Sequence, residues 1–256
     1  MSRYYITTSV FLLLILASLA LDGTFDISRW WYIGLSVVFV AVVAIGVSVL
    51  SLSFFVSVKS TGNFTDRVAL TFDDGPVPGK TDQVLRILKE FNIPAAFFCI
   101  GNRVDKYPGI VRQIDQEGHI IGNHSYWHGK FFDLKSAPMV TRELYDTDVA
   151  IYKVIGKKPK FFRPPYGVTN PMIARAVKRL NHTVIGWSLR SFDTITSNPD
   201  NLLQRVTNKL KGGDVVLLHD FSPATVTALP EIISHIKKRG LKIVRLDELI
   251  KEKPYA

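Results

Sequence analysis

The first 58 residues are almost continuously apolar, whereas the rest of the chain alternates short β-type runs with amphipathic stretches. Residues 4–21, YYITTSVFLLLILASLAL, approach the ~20 residues a membrane helix needs, and residues 33–58 exceed them. The expectation is two transmembrane helices, about 4–21 and 33–58, forming an anchor over residues 1–60. A cleaved signal peptide fits less well: the first segment lacks a small-residue cleavage site, and a second apolar segment follows almost at once. Between the two, Trp30, Trp31 and Tyr32 fall where aromatic side chains favour the membrane interface.

Over residues 61–256 the pattern changes. RVALTF (67–72) reads as a strand, and KTDQVLRILKEF (80–91) as a helix with Val84, Leu85, Leu88 and Phe91 at helical spacing. Further β-type runs are PAAFFCI (94–100), HIIGN (119–123), KFFR (160–163), HTVIGW (182–187), DVVLLH (214–219) and LKIVRL (241–246), separated by helix-type segments. About seven strands alternating with helices predict a parallel sheet, either open and doubly wound or closed into a barrel. Unusual polar residues stand at the ends of these runs: Asp73 and Asp74, His124, Arg163, Asp193 after a short loop, and His219. In a parallel barrel such ends converge on one face, so a single shared site is expected.

Charge sharpens the division. The net charge is +10, yet residues 1–58 hold four formally charged side chains, Arg3, Asp22, Asp26 and Arg29, which cancel. No basic run is dense enough to suggest nucleic-acid binding; the excess suits a solvated surface, anionic lipid or an acidic polymer. Arg3, Lys59 and Arg67 against Arg29 alone in the connecting loop lean the large domain towards the cytoplasm. Cys99 is the sole cysteine, so no intramolecular disulfide forms, and its apolar surroundings read as core.

The candidate chemistry centres on LTFDDGP (70–76), where Asp73 and Asp74 are adjacent, and HSYWH (124–128), where two histidines lie four residues apart. Two imidazoles on one side of a turn, joined by a carboxylate, make a His-His-Asp metal set with positions open to water and substrate. His219 ends an apolar run, where alone it reads either as a satisfied histidine at a strand end or as a general acid, because imidazole exchanges protons near neutral pH.

Five segments in order, TFDDGP (71–76), HSYWH (124–128), RPPYG (163–167), SFDT (191–194) and LLHD (217–220), resemble the polysaccharide deacetylases of carbohydrate esterase family 4, which share the NodB-homology domain. The resemblance runs from about Arg67 to Leu249 and implies a distorted (β/α)7 barrel. It further implies that Asp74, His124 and His128 hold a divalent metal, usually zinc, with cobalt, nickel or manganese as alternatives. Asp73 would be the general base and Arg163 would orient it; His219 would be the acid, oriented by Asp193. The backbone N–H of Tyr166 would meet the oxyanion, and Pro165, Tyr166 and Leu218 would contact the substrate.

The implied activity is hydrolysis of N-acetyl groups on amino sugars of a glycan, such as peptidoglycan or a chitin-like polymer. Deacylation or deformylation of a lipid-linked amino sugar is an alternative, as is a non-catalytic carbohydrate-binding pseudoenzyme. The implied partners are an N-acetylated glycan or lipid-linked sugar and membrane lipid. Family function puts the domain outside the cytoplasm, against the lean of the charge count. In the fourth segment Thr194 replaces the family's usual Trp, and Arg190 stands where an acidic residue is often found, so the acyl pocket differs in shape or polarity. Trp187 reads as a core residue of its strand, and His119, His182 and His235 as structural or surface residues.

Overall fold

The computed structural model describes residues 2–256. In chain order the helices are α1 (Arg3–Phe25), α2 (Arg29–Ser48), α3 (Thr81–Phe91), α4 (Gly101–Lys106), α5 (Pro108–Gln116), α6 (Ala137–Ile155), α7 (Pro171–Leu180), α8 (Pro199–Lys209), α9 (Pro223–Lys238) and α10 (Leu246–Ile250). The strands are β1 (Val58–Lys59), β2 (Arg67–Asp73), β3 (Ala96–Cys99), β4 (Ile120–Asn123), β5 (Phe161–Phe162), β6 (Thr183–Ile185), β7 (Leu189–Arg190), β8 (Val215–His219) and β9 (Lys242–Ile243).

All named strand pairs are parallel, in the order β1-β6-β5-β4-β3-β2-β8-β7, with β9 pairing β2 at its start. Three residues separate β6 near one edge from β7 at the other. The sheet therefore curls back on itself through the segment 186–188, giving a distorted barrel. The two extra strands beyond the expected seven, β1 and β7, are two-residue pieces too short to carry a period-two signature.

Alternation along β2 and β8 sorts side chains between two cores. Val68, Leu70, Phe72, Val216 and Leu218 face outward and pack beneath α3, α5, α8 and α9. Ala69 and Val215 face inward with Ala96, Phe98, Ile120, Phe161 and Ile185, and Leu246, Leu249 and Ile250 of α10 plug that end. Each large side chain fully buried in these layers contributes about 1.5–3 kcal/mol. The plug closes the barrel's N-terminal mouth, so only the opposite mouth, at the C-terminal ends of the strands, is open to substrate.

α1 and α2 are 23 and 20 residues long and apolar enough to cross a membrane. They pair through stacked Phe11 and Phe39, with ring centroids 4.3 Å apart, and through Trp31 Nε1, which donates to Ser18 Oγ at 2.8 Å. The second helix differs from the expected 33–58: it starts at Arg29 and ends at Ser48. Beyond it Leu50 is buried with Phe132, Phe162, Ile173 and Val184, Phe54 and Phe55 are buried beside Tyr4, and β1 joins the sheet. The apolar run is continuous because the exposed faces of α2 and the core residues that follow it are equally apolar. Its change of partner is marked only by small polar residues, Ser48, Ser51 and Ser53, the last turning the chain at φ 52°.

Candidate active site

Strand register brings the reacting groups together. Asp73 at the end of β2 lies opposite His219 at the end of β8, and β3 and β4 carry the chain onward to His124. A cavity of about 240 Å³ at this mouth is lined by Asp73, Asp74, His124, His128, Pro164, Tyr166, Gly167, Trp187, Arg190, Thr194, Leu217 and His219.

Arg163 follows β5 into the barrel, where it is fully buried. Its Nη1 donates to Asp73 Oδ1 at 2.7 Å and to Thr71 Oγ1 at 2.8 Å, its Nη2 to Gly186 O at 2.8 Å and its Nε to Ile185 O at 3.3 Å. The guanidinium carbon also sits 4.1 Å from the Phe98 ring centroid. One planar cation thus ties β2 to the end of β6 and fixes one Asp73 oxygen, leaving Oδ2 directed elsewhere.

Asp74, His124 and His128 form the one group of possible metal ligands found among the described residues, with their ligand atoms all within 4.8 Å of one another. Asp74 Oδ1 lies 3.4 Å from His124 Nε2 and 3.3 Å from His128 Nε2, and it is buried without a hydrogen-bond partner. His124 Nδ1 is 2.7 Å from the Arg163 carbonyl and must donate to it, which leaves Nε2 of the neutral ring as a lone pair aimed at a carboxylate oxygen. Two acceptors facing each other in a buried site repel unless a cation lies between them, so this donor set fits a divalent metal. A proton on His124 Nε2 would serve the same end: burial works to raise the Asp74 carboxyl, but the hydrogen bond and charge of a protonated His124, with His128 and His219 behind, hold it well below the usual carboxylate range.

On the opposite wall His219 Nδ1 bonds Asp193 Oδ1 at 2.8 Å, turning Nε2 towards the cavity. Asp193 Oδ2 accepts from the His219 backbone N–H at 2.7 Å and from Thr225 Oγ1 at 2.5 Å, and Ser191 Oγ donates to Oδ1 at 2.8 Å. Burial acts to lower the His219 pKa, yet the hydrogen bond and charge of Asp193, helped by Asp73 and Asp74, raise it above the ordinary histidine value. Asp193 itself is lowered: the penalty of burial is outweighed by His219, Thr225 and Ser191.

The loops around the cavity hold five non-glycine residues at positive φ: Asp74 (72°), Ser125 (62°), His128 (49°), Tyr166 (59°) and Phe192 (59°). Each costs about 1–2 kcal/mol in an L-residue, so neighbouring contacts must enforce them. Two such contacts are Ser125 Oγ accepting the His128 N–H at 3.1 Å and Gly167 Cα lying against the Trp187 ring, where a Cβ would come within 2.3 Å of the ring edge.

Placement of the sequence candidates is uneven. Asp73, Asp74, His124, His128, Tyr166 and His219 all line the cavity, and Arg163 and Asp193 each grip one of them from behind. Leu218 does not line it: period-two alternation turns Leu218 into the outer core and gives the cavity to Leu217. Pro165 is buried in the turn Pro165–Gly167 and does not line the cavity, whereas Pro164 does. Trp187, expected in the core, also lines the cavity while packing on the core beside it.

Comparison with known proteins agrees with this geometry. The polysaccharide deacetylase family model matches residues 62–185. A peptidoglycan-N-acetylglucosamine deacetylase of Bacillus cereus is 36% identical over 191 residues, covering 73% of this chain and 89% of that protein. The chain belongs to the polysaccharide deacetylase family. The peptidoglycan-N-acetylmuramic acid deacetylase PdaA of Bacillus subtilis is 32% identical over 197 residues, covering 75% of this chain and 74% of that one. A crystal structure of a peptidoglycan N-acetylglucosamine deacetylase superposes with a TM-score of 0.72 at 31% identity, over 78% of this chain and 95% of that chain.

This family member also has supports that sequence reasoning missed. Thr81 Oγ1 donates to Asp220 Oδ2 at 2.6 Å, and Asp220 is pressed so closely on Gly75 that a Cβ there would lie 2.2 Å from the carboxylate. Burial first, with the charge of Asp74 adding to it, pushes the Asp220 carboxyl up to about 7 against the Thr81 bond, Arg103 and His219. Behind the histidine loop, Asn123 Nδ2 donates to Asp148 Oδ1 and to Leu144 O, both at 2.8 Å, while its Oδ1 accepts the Ser125 N–H at 2.9 Å. Asn123 directly precedes His124, and that adjacency was the available signal.

Proposed function

We propose that this protein is a metal-dependent deacetylase of N-acetylated amino sugars in a glycan of the peptidoglycan type. The observation that carries the reading is the pairing across one cavity of a carboxylate with a free oxygen, Asp73, and a histidine bonded through Nδ1 to Asp193, His219, with the Asp74-His124-His128 cluster beside them. Asp74, His124 and His128 would hold the metal, most simply zinc given one carboxylate and two imidazoles. When bound, it would supply a Lewis acid that lowers the pKa of a water to ~7.

The chain's own groups then do the proton work. Asp73, anchored through Oδ1 by Arg163, takes a proton from the attacking water on Oδ2. The water oxygen bonds the acetyl carbon, and the resulting oxyanion is met by the Tyr166 N–H, which the left-handed backbone at this residue orients. His219 Nε2 gives its proton to the departing nitrogen, the C–N bond breaks, and acetate and a free amino sugar leave. Trp187, Leu217 and Pro164 form the apolar wall suited to the acetyl methyl group.

We read α1 and α2 as a two-span membrane anchor and the rest of the chain as the catalytic domain, which takes in Leu50 and β1 ahead of the expected boundary at residue 60 and faces outside the cytoplasm where glycan substrates lie. One contact favours a substrate close to the bilayer, such as a lipid-linked amino sugar. The Thr169 N–H, two residues beyond the RPPYG segment, donates to Val47 O in the last turn of α2 at 3.4 Å. A non-catalytic binding role is disfavoured because base, acid and all three metal ligands are present.

The test uses full-length protein in detergent, measuring bound metal by mass spectrometry and acetate release from N-acetylated glycan. Asp73→Asn should keep the metal and lose about 10²- to 10⁴-fold in rate, whereas Asp74→Asn should lose both. Full activity in Asp73→Asn, or metal-free protein with full activity, would overturn the reading.

A further inference from the structure

Arg190 is a side chain of the cavity that the deacetylation chemistry does not use. It ends β7, where its register partner is Leu217, and it lines the cavity with Trp187, Thr194 and His219. It is solvent-exposed and makes no ion pair or side-chain hydrogen bond among the described residues. What holds it is aromatic: the guanidinium carbon is 4.8 Å from the Phe192 centroid and 5.8 Å from that of Trp187. Arg205 lies 5.1 Å from the same Phe192 ring, so two cations share one aromatic platform at the rim.

Such contacts consume the face of a guanidinium and none of its five N–H donors. The carboxylates of the cavity are already engaged: Asp73 with Arg163, and Asp74 between two histidines. A fixed, uncompensated cation with its hydrogen-bonding edge open is a site for a planar or tetrahedral oxyanion, which it can take bidentately.

We propose that Arg190 is a specificity residue that binds an anionic substituent, carboxylate or phosphate, on the sugar presented for deacetylation. The proposal rests on the deacetylase reading of the cavity and narrows it from N-acetylated sugars in general to those carrying negative charge near the acetamido group. The exposed Thr194 beside Arg190 adds a hydroxyl to the same wall, where a large aromatic side chain would close it. A lactyl ether on the sugar and a sugar phosphate both supply the required group.

Binding separates this idea from catalysis. Full-length Asp73→Asn protein, loaded with zinc, is titrated calorimetrically with N-acetylglucosamine, N-acetylmuramic acid and N-acetylglucosamine 1-phosphate, alone and combined with Arg190→Gln or Arg190→Lys. At least one anionic sugar should bind about 10-fold or more tighter than the neutral one, in line with a charge-assisted hydrogen bond. Arg190→Gln should abolish that preference and Arg190→Lys should retain part of it; the sugar preferred identifies the anion. Equal affinity for all three sugars, or a preference that survives Arg190→Gln, overturns the proposal. Acetate release by the wild type is measured separately, so failure of the deacetylase reading and failure of the Arg190 assignment give different results.

Discussion

Replacing Asp193 by Asn tests the acid side of the mechanism with almost no change in volume. The carboxylate offers two oxygens, and each already accepts two hydrogen bonds. An amide keeps one oxygen and turns the other position into a donor. If the NH2 took the place of Oδ2 it would oppose the His219 backbone N–H, which cannot reverse. It must therefore take the place of Oδ1, where the Ser191 hydroxyl can rotate and His219 Nδ1 can become an acceptor. The imidazolium then loses its counter-ion and its charge-assisted hydrogen bond, worth about 1.5–3 kcal/mol, which predicts a kcat about 10- to 150-fold lower. The direction in pH is also fixed. Asp193 raises the His219 pKa against burial, so its removal moves the basic limb of the kcat–pH profile to lower pH. Acetate release measured across the pH range, with circular dichroism to verify folding, is the assay. A variant within threefold of wild type with its basic limb unmoved would refute His219 as the acid held by Asp193.

Three further outcomes are expected. Burial, with Arg245 assisting against Glu117, lowers the His119 pKa to about 4 from 6.5, while the ring accepts the Ala95 N–H at 3.1 Å. Below 6.5 the unfolded chain binds a proton that the folded chain refuses, so this group withdraws ~3 kcal/mol of stability as pH falls from about 6.5 to 4; denaturation of His119→Asn should show that much less acid sensitivity. Gly167→Ala combines a φ of 69° with a Cβ 2.3 Å from Trp187, predicting a loss of about 1–3 kcal/mol in melts and altered Trp fluorescence. A chain starting at residue 61 lacks β1 and the buried Leu50, and should melt lower than one starting at residue 49 by the equivalent of about 2–5 kcal/mol, that of a large core side chain.

Much of the site was legible because a parallel sheet makes strand ends coincide. An apolar run that stops at Asp, His or Arg names a residue at the open mouth without any three-dimensional knowledge, and Asp73, His124, Arg163 and His219 follow that rule. What failed was parity and partnership. LLHD contains two leucines of equal hydrophobicity, and only the phase of β8 against β2 decides that Leu217 faces the substrate. Trp187 packs on the core as expected, but its place in the cavity wall was hidden because β6 and β7 are separate short strands, and the residues between them belong to the curl that completes the barrel. The end of α2 was hidden since its exposed faces and the core beyond it use the same apolar side chains. Asp220 could be read from the fifth segment, but its dependence on Gly75 and Thr81 joins residues about 140 positions apart, beyond any local pattern.

The cluster of left-handed residues around the cavity bears on how this enzyme can be improved. Glycine would relieve backbone strain at Asp74, Ser125, His128, Tyr166 or Phe192, and a screen for thermal stability alone would reward it there. Two of those five positions carry candidate metal ligands and a third the candidate oxyanion contact. Selection for robustness and selection for turnover therefore pull on the same residues in opposite directions. A more durable variant has to be sought in the α10 plug and the outer helix layer, where side chains can be repacked without releasing the loops that hold the reacting groups.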